Sequence, residues 1–488
     1  MIESQEVELK LELPPDQVDS FRHSPVLGDP RRSPVEQLTT YFDTPKGELR
    51  KAGYSLRLRR KGRAFVQTVK HRGGDSGGFS SRAEWEKKLD CAELDFEALK
   101  ATPVGKLLSK RDMQKRLRPV SETKVRRTTW LVERDLSEVE LILDEGTVSA
   151  GGAEVPICEV ELELKRGSRS ELFAMAQALG GGLTLRMGVV SKSERGFRLL
   201  EGRTRRVQKA EKLRIRDTMS NAEAFAAIVQ SCLRHFRLNE PLIERDMNAL
   251  ALHQARVAMR RLRSVLTLFR PAVSDAEFSR LRNQLRWLTD KLGEARNLDV
   301  LLEVRPAEGP APDPAIRKQL RSSRKEAYAK VQAALADPRL PQLILALVAW
   351  SETGRWREGD LAREPVRRFA GERLERSWKR VRKQGKQLRL LTPDERHVLR
   401  IEIKRLRYAA EFFVGLTPKA RRAQQKSFVS AAQELQELLG HLNDLETRRQ
   451  LAPQLLPTEQ DYEKEVARLL DATERVYSSL REIGPYWR

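Results

Sequence analysis

Residues 6–10 read Glu6-Val7-Glu8-Leu9-Lys10, a charged residue alternating with an apolar one. Along a β-strand the side chains at i, i+2 and i+4 share a face. Glu6, Glu8 and Lys10 therefore point one way, and Val7, Leu9 and Leu11 the other. Related runs recur through the first 200 residues: YSLRLRRKG, AFVQTVKH, SRAEWEKKL, TTWLVER, VELILDEG and CEVELELKRG. Arg57 and Arg59 share a face in one of them; Glu159, Glu161, Glu163 and Lys165 share a face in another. Turn signals separate the runs at Pro45-Lys46-Gly47, Gly73-Gly74, Gly77-Gly78 and Gly151-Gly152. A helix is expected from Ser170 to Ala178, and another near Asp95 to Ser109. One reading of such strands is an antiparallel sheet with a solvated, charged face. The other is a barrel with a charged lumen, in which carboxylates bind hard divalent cations while Arg and Lys bind phosphate oxygens.

Working outward, the texture changes near residues 203–215, at GRTRRVQKAEK. Beyond it lie long stretches of helical period, including AFAAIVQSCLRHF, FSRLRNQLRWLTDKL and FVSAAQELQELLGHL. A Pro-rich loop, EVRPAEGPAPDPA, is read at 303–315. The charge divides in the same place. Of the net +23, residues 1–200 carry +4 and residues 201–488 carry +19. So large a basic excess calls for a polyanionic partner.

The helical half repeats itself. His253-Gln-Ala-Arg256-Val-Ala-Met-Arg260-Arg261-Leu-Arg263 aligns without gaps on His397-Val-Leu-Arg400-Ile-Glu-Ile-Lys404-Arg405-Leu-Arg407. Downstream, Leu292-Gly293 is echoed by Leu439-Gly440. Two related helical bundles are the simplest explanation. On a helix His253, Arg256, Arg260 and Arg263 form one stripe, as do His397, Arg400, Lys404 and Arg407. Like charges stacked this way repel unless an anion lies between them, and a chain of phosphates suits them because arginine forks donate in pairs. Asp299 and Asp444 are expected to cap helices or pair with these arginines.

The N-terminal ExExK, the Tyr41-Phe42-Asp43-Thr44-Pro45 segment, LRLRR, the ExE run and Ser191-Lys192 together resemble the CYTH family, the triphosphate tunnel metalloenzymes. The resemblance covers about residues 1–200. It implies a closed eight-stranded antiparallel β-barrel, a tunnel that hydrolyses inorganic triphosphate with Mg²⁺ or Mn²⁺. Position by position, it implies metal ligands at Glu6, Glu8, Asp144, Glu159 and Glu161. It implies phosphate-binding cations at Lys10, Arg57, Arg59, Lys70, Arg127 and Lys192, and a further tunnel carboxylate at Glu84. Catalysis would rest on Glu6, Glu8, Lys10 and Glu84. Arg126 is an alternative to Arg127, and Val125 stands where the family often has another basic residue. The HxxRxxx[KR]RLR repeats resemble the CHAD domain over roughly 215–488. That implies an all-α domain of two pseudo-symmetric bundles whose two stripes bind inorganic polyphosphate. The expected organisation is a barrel domain at 1–203, a linker at 204–214 and the helical domain at 215–488.

Other classes are weakened. No GxxxxGK[ST] loop is present to cradle phosphates. Three widely spaced cysteines argue against a disulfide framework or a zinc site. No apolar run approaches the roughly 20 residues of a membrane span. The expected setting is cytoplasmic, in association with polyphosphate granules, without membrane or nucleic-acid partners; the oligomeric state is left open. Within the same barrel class the alternatives are an adenylate cyclase or a thiamine or nucleoside triphosphatase. Outside it, the alternative is a non-catalytic polyphosphate or nucleic-acid scaffold.

Overall fold

In the computed structural model, residues 1–28, 33–71, 77–302, 314–451 and 459–488 are described. The Gly73-Gly74 turn and all but the last two residues of the Pro-rich loop fall outside them. The chain divides into two compact units: residues 1–209 with 233–242 and 336–354, and residues 210–232 with 243–335 and 355–488.

The first unit is built on nine strands among the described residues: β1 Ile2–Glu12, β2 Val35–Asp43, β3 Tyr54–Lys61, β4 Ala64–His71, β5 Phe79–Leu89, β6 Arg118–Arg134, β7 Ser137–Ala150, β8 Ala153–Arg166 and the short β9 Arg186–Met187. The sheet order is β5-β4-β3-β2-β6-β7-β8-β1-β9, and a β5–β1 pairing closes β1 to β8 into an antiparallel barrel. All pairings are antiparallel. A closed barrel leaves no sheet edge along these strands.

Strand alternation is used inside out. Leu9, Leu11, Leu141, Leu143, Val160 and Leu162 are fully buried, and they face away from the charged residues that alternate with them. The apolar core therefore lies on the outer wall, beneath covering helices. One cover is helix α1, Arg169–Gly180, which buries Leu172, Phe173, Met175, Ala176 and Leu179 and is capped by Ser168. The expected Ser170–Ala178 helix is this element. On another flank Leu56, Val69 and Trp85 pack with Leu99, Val104 and Leu108. Where one helix is expected near Asp95 to Ser109, there are two short ones, Phe96–Lys100 and Gly105–Leu108, with Val104 in the turn between them. Helix α2, Lys192–Leu200, packs on β6 and β7. Its N-cap Ser191 accepts from the Glu194 N–H, which fixes where Lys192 enters.

The second unit is helical. Its main elements are α3 Asn221–Arg237 (up to Cys232), α4 Ala249–Val273, α5 Ala276–Leu302, α6 Pro314–Ala336, then α8 Val366–Gln384, α9 Pro393–Phe412, α10 Arg422–Leu451 and α11 Glu459–Ile483. The intervening α7, Arg339–Thr353, belongs to the first unit and packs on α1 and β9. Helix α4 packs on α5 as α9 packs on α10, and α4 and α9 lie against each other. The sequence repeat is thus a repeat of helix pairs.

Candidate active site

Cross-strand register collects the charged residues inside the barrel. Glu6 lies opposite Arg82, Lys10 opposite Glu161, Lys70 opposite Glu84, Arg127 opposite Asp144, and Asp144 opposite Glu159. They surround a cavity of about 530 Å³ whose lining includes Glu6, Glu8, Lys10, Arg57, Arg59, Lys70, Glu84, Arg127, Glu161 and Lys192. All the sequence-predicted barrel residues thus converge at this lumen, with Asp144 and Glu159 fully buried in its wall. Arg126 is exposed on the opposite face of β6. Val125 packs with Val148 and Ile157 in a small apolar cluster.

The charges form two linked sets. In the first, Glu6 accepts from Lys70 at 2.7 Å and from Arg82 at 2.9 Å, and Glu8 accepts from Arg82 at 2.7 Å. Burial alone would raise the Glu6 carboxyl, but Lys70 and Arg82 hold it well below the usual range. Glu84 lies 3.2 Å from both Lys70 and Arg57 and so anchors two cations at once. In the second set, Lys192 Nζ contacts Glu159, Glu161 at 2.8 Å and Asp144 at 2.7 Å. Arg127 makes a fork to Asp144, at 2.7 and 2.5 Å, and reaches Glu161 at 3.1 Å. Lys10 joins the sets, 3.4 Å from Glu8 and 2.9 Å from Glu161. Its stem passes Gly188, where any Cβ would stand 2.7 Å from Lys10 Cγ.

Arg82 and Glu86 were missed by sequence reading. Arg82 lies across the strand pair from Glu6, and the alternation of Arg82, Glu84 and Glu86 with Ala83 and Trp85 in the SRAEWEKKL run is the signal that could have found both.

Arg59 differs from the other cations. Among the described residues no carboxylate lies within ion-pair distance of it, and its one hydrogen bond is to Thr39, at 3.3 Å. Burial, then repulsion from Arg57 and Arg127, pushes its guanidinium down to about 10. Among the described residues, the buried Nε of Arg57 has no hydrogen-bond partner. A buried cation with no counter-charge costs free energy, so this corner of the lumen is prepared for an anion.

Opposite it, Asp144, Glu159 and Glu161 each offer an oxygen within 4.8 Å of the others. Three hard oxygen donors this close suit a small divalent cation, and Lys192 Nζ already contacts all three. The residues fit the metal that the resemblance implies. Glu6 and Glu8 stand apart from this triad, on the far side of Lys10.

In the helical unit the two stripes face each other. Arg256 is pushed down to about 10 by burial and by Arg260, Arg296 and Arg400. Burial, then Arg400, Arg260, Arg256 and Arg407, pushes the Lys404 ammonium down to about 8. The partners obey the repeat. Arg256 donates to the Gly293 carbonyl at 2.8 Å and to Asn297 at 3.1 Å, while the Arg400 guanidinium lies beside Gly440 and Asp444. Arg263 reaches Thr289 as Arg407 reaches Gln436. Among the described residues, the buried Nε atoms of Arg260 and Arg400 have no hydrogen-bond partner. His397 Nδ1 lies 2.9 Å from Asn443 Oδ1, and His253 sits partly buried at the matching position of α4. Arg296 is a member that the stripe spacing did not reveal, because it reaches in from α5. Asp299 departs from expectation: it binds Arg324 at 2.7 Å and the Tyr328 hydroxyl at 3.0 Å, and of the cationic set it is within ion-pair range of Arg296, at 3.9 Å, rather than of the arginines on α4. Glu446 occupies its place in the second repeat, accepting from Tyr462 at 3.0 Å.

Comparison with known proteins supplies the family. The CYTH domain profile matches residues 4–197 and the CHAD domain profile residues 227–453. The chain joins a CYTH domain to a CHAD domain. The inorganic triphosphatase of Haemophilus influenzae is 34% identical over 162 residues in the CYTH region, which is 33% of this chain and 45% of that protein. The chain thus spans about half the length of this curated relative. Among solved structures, the CHAD domain from the plant Ricinus communis is similar with 27% identity and a TM-score of 0.46, covering 57% of this chain and 96% of its own. HpAC1 of Hippeastrum, which has a dominant triphosphatase activity, is similar with 21% identity and a TM-score of 0.32, covering 40% of this chain and 95% of its own. Among the described residues, no helix is long and apolar enough to cross a membrane.

Proposed function

We propose that the CYTH barrel hydrolyses inorganic triphosphate to pyrophosphate and phosphate with a divalent metal, Mg²⁺ or Mn²⁺, and that the CHAD unit binds inorganic polyphosphate. The observation that carries the enzymatic reading is the lumen's polarity: the Arg59 guanidinium, with no carboxylate partner among the described residues, and the unbonded Nε of Arg57 face the triad Asp144, Glu159 and Glu161 across one cavity. The curated triphosphatase relative supports the same reading.

Triphosphate repels an incoming nucleophile through its own charge. Arg57, Arg59, Arg127 and Lys70 neutralise that charge and hold the phosphates in line. Lys10 and Lys192 serve both sides, gripping phosphate oxygens while holding the neighbouring carboxylates together against their mutual repulsion. Glu84 keeps Lys70 and Arg57 aimed inward. Asp144, Glu159 and Glu161, with Glu6 and Glu8 beyond Lys10, would hold the metal. When bound, the metal polarises phosphoryl oxygens and lowers the pKa of water. Phosphate release measured from tripolyphosphate, ATP and thiamine triphosphate, with and without Mg²⁺ or Mn²⁺, tests this. Metal-dependent release preferring tripolyphosphate is expected; pyrophosphate release from ATP would instead indicate cyclisation.

For the CHAD unit, the reading rests on two facing cationic stripes whose side chains repel one another. Phosphate oxygens placed between them would restore the proton that Lys404 holds weakly. The complex then binds that proton more tightly than the free protein does. Below about pH 8 both states are protonated and affinity is full; as pH rises through 8, binding must first recover the proton and affinity falls. Polyphosphate binding followed from pH 7 to 9 should show this decline, and Lys404→Arg, which keeps its charge, should flatten it. An identical decline in that variant would contradict the assignment.

A further inference from the structure

Arg234 and Arg237 lie one turn apart at the C-terminal end of α3, in sequence that belongs to the helical half, yet residues 233–242 fold within the barrel unit. Both side chains are almost completely buried, at 4% and 5% exposure. A buried guanidinium is costly unless its donors are matched, and here the matches come from the segment that feeds the lumen. Arg234 donates to the Val189 carbonyl and, at 2.6 Å, to Glu194. Arg237 donates to the Met187 carbonyl at 3.2 Å, to Glu240, and at 2.8 Å to Glu12. Between them the two arginines clamp residues 187–194, the stretch that carries Gly188 against the Lys10 stem and Lys192 into the acidic triad.

A second connection runs through charge. Glu12 is the next lumen-side residue of β1 after Lys10 and lies opposite Glu159. One of its oxygens takes Arg237; the other accepts from Arg195 Nη2 at 3.1 Å. That same nitrogen lies 3.3 Å from Glu159 Oε2. The chain Arg237–Glu12–Arg195–Glu159 therefore ends on the oxygen of Glu159 that Lys192 does not hold. Without Arg237, the Glu12 carboxylate keeps Arg195 as its remaining partner among the described residues and draws that guanidinium away from Glu159.

We propose that Arg234 and Arg237 are positioning residues for the triad Asp144, Glu159 and Glu161, so that the barrel's metal centre is completed by residues encoded in the helical half of the sequence. This rests on the reading of the lumen as a metal-dependent triphosphatase and adds to it a support that no barrel strand supplies. Groups that orient metal ligands from behind typically alter metal affinity or activity by about 10–100-fold.

The test uses the full chain with Arg237→Gln and, separately, Glu12→Gln. Glu12 is about a third exposed, so its amide variant keeps the fold should the buried substitution not. Mn²⁺ binding without substrate is titrated calorimetrically, and tripolyphosphate hydrolysis is measured as a function of Mn²⁺. Both variants are expected to bind Mn²⁺ about 10–100-fold more weakly, with turnover largely regained at saturating metal and partial rescue by Arg237→Lys. A general loss of structure would instead lower turnover at every metal concentration. If the native chain binds Mn²⁺ and is active while Glu12→Gln titrates identically to it, the inference is wrong. If the native chain itself neither binds Mn²⁺ nor releases phosphate, the reading of the lumen fails, and the inference with it.

Discussion

Glu161→Gln should lower tripolyphosphate hydrolysis by about 10²–10³-fold, the scale on which a single preorganised charged or dipolar group acts in such sites. Glu161 is the meeting point of the lumen's second charge set: Lys10 at 2.9 Å, Lys192 at 2.8 Å and Arg127 at 3.1 Å all converge on it. Burial would raise its carboxyl, but Lys10, Lys192 and Arg127 hold it well below the ordinary range. The charge is therefore present throughout the neutral pH range. The amide keeps the volume and removes one of three negative charges from the triad. The same substitution leaves three buried cations under-compensated and should cost stability, up to about 3–5 kcal/mol by comparison with other broken buried pairs. Thermal unfolding by circular dichroism, run beside the kinetics at a temperature where the variant stays folded, separates the two effects. An unchanged turnover would remove the triad from the mechanism.

The second large effect belongs to the helical unit. Arg256→Ala combined with Arg400→Ala takes the corresponding cation from each repeat, and each of these guanidinium groups is depressed by burial and by a stripe residue of the other repeat. Polyphosphate is a flexible single-chain polyanion. By analogy with single-stranded nucleic acid, losing two phosphate contacts should make the slope of log affinity against log salt shallower by about 1.4. Affinity at low salt should drop together with the slope. Filter binding at several salt concentrations measures both, and tripolyphosphate turnover at the barrel serves as the internal control for folding. Equal affinity and equal slope would refute the groove.

The sequence disclosed those parts of the molecule where one strand or helix carries its own message. β1 and β8 were readable because lumen charges alternate with Leu9, Leu11, Val160 and Leu162 along a single strand. The helix pairs were readable because the repeat preserves Gly293 and Gly440, and at Gly440 a Cβ would stand 3.1 Å from the Arg400 guanidinium. β2 gave no such signal: its lumen-side residues Gln37, Thr39 and Tyr41 are neutral, and only the Tyr41–Pro45 segment drew attention. The buried Asp43 of that segment caps the following turn, accepting from the N–H groups of Thr44, Leu49 and Arg50. Arg296 and Asp299 take their roles from neighbouring elements, through contacts that no local period encodes. Arg234 and Arg237 are the clearest case. They sit in an ordinary amphipathic helix, and only the folded chain brings them onto Glu12, Glu194 and the carbonyls before Lys192.

The central claim is that the lumen grips a triphosphate between arginines and a metal held by carboxylates. Anomalous diffraction at the manganese edge, from crystals grown with Mn²⁺ and a non-hydrolysable triphosphate, tests it most directly. The account predicts a manganese peak beside Asp144, Glu159 and Glu161, with phosphate density against Arg57 and Arg59. Manganese bound only outside the barrel, with the lumen filled by water alone, would contradict it.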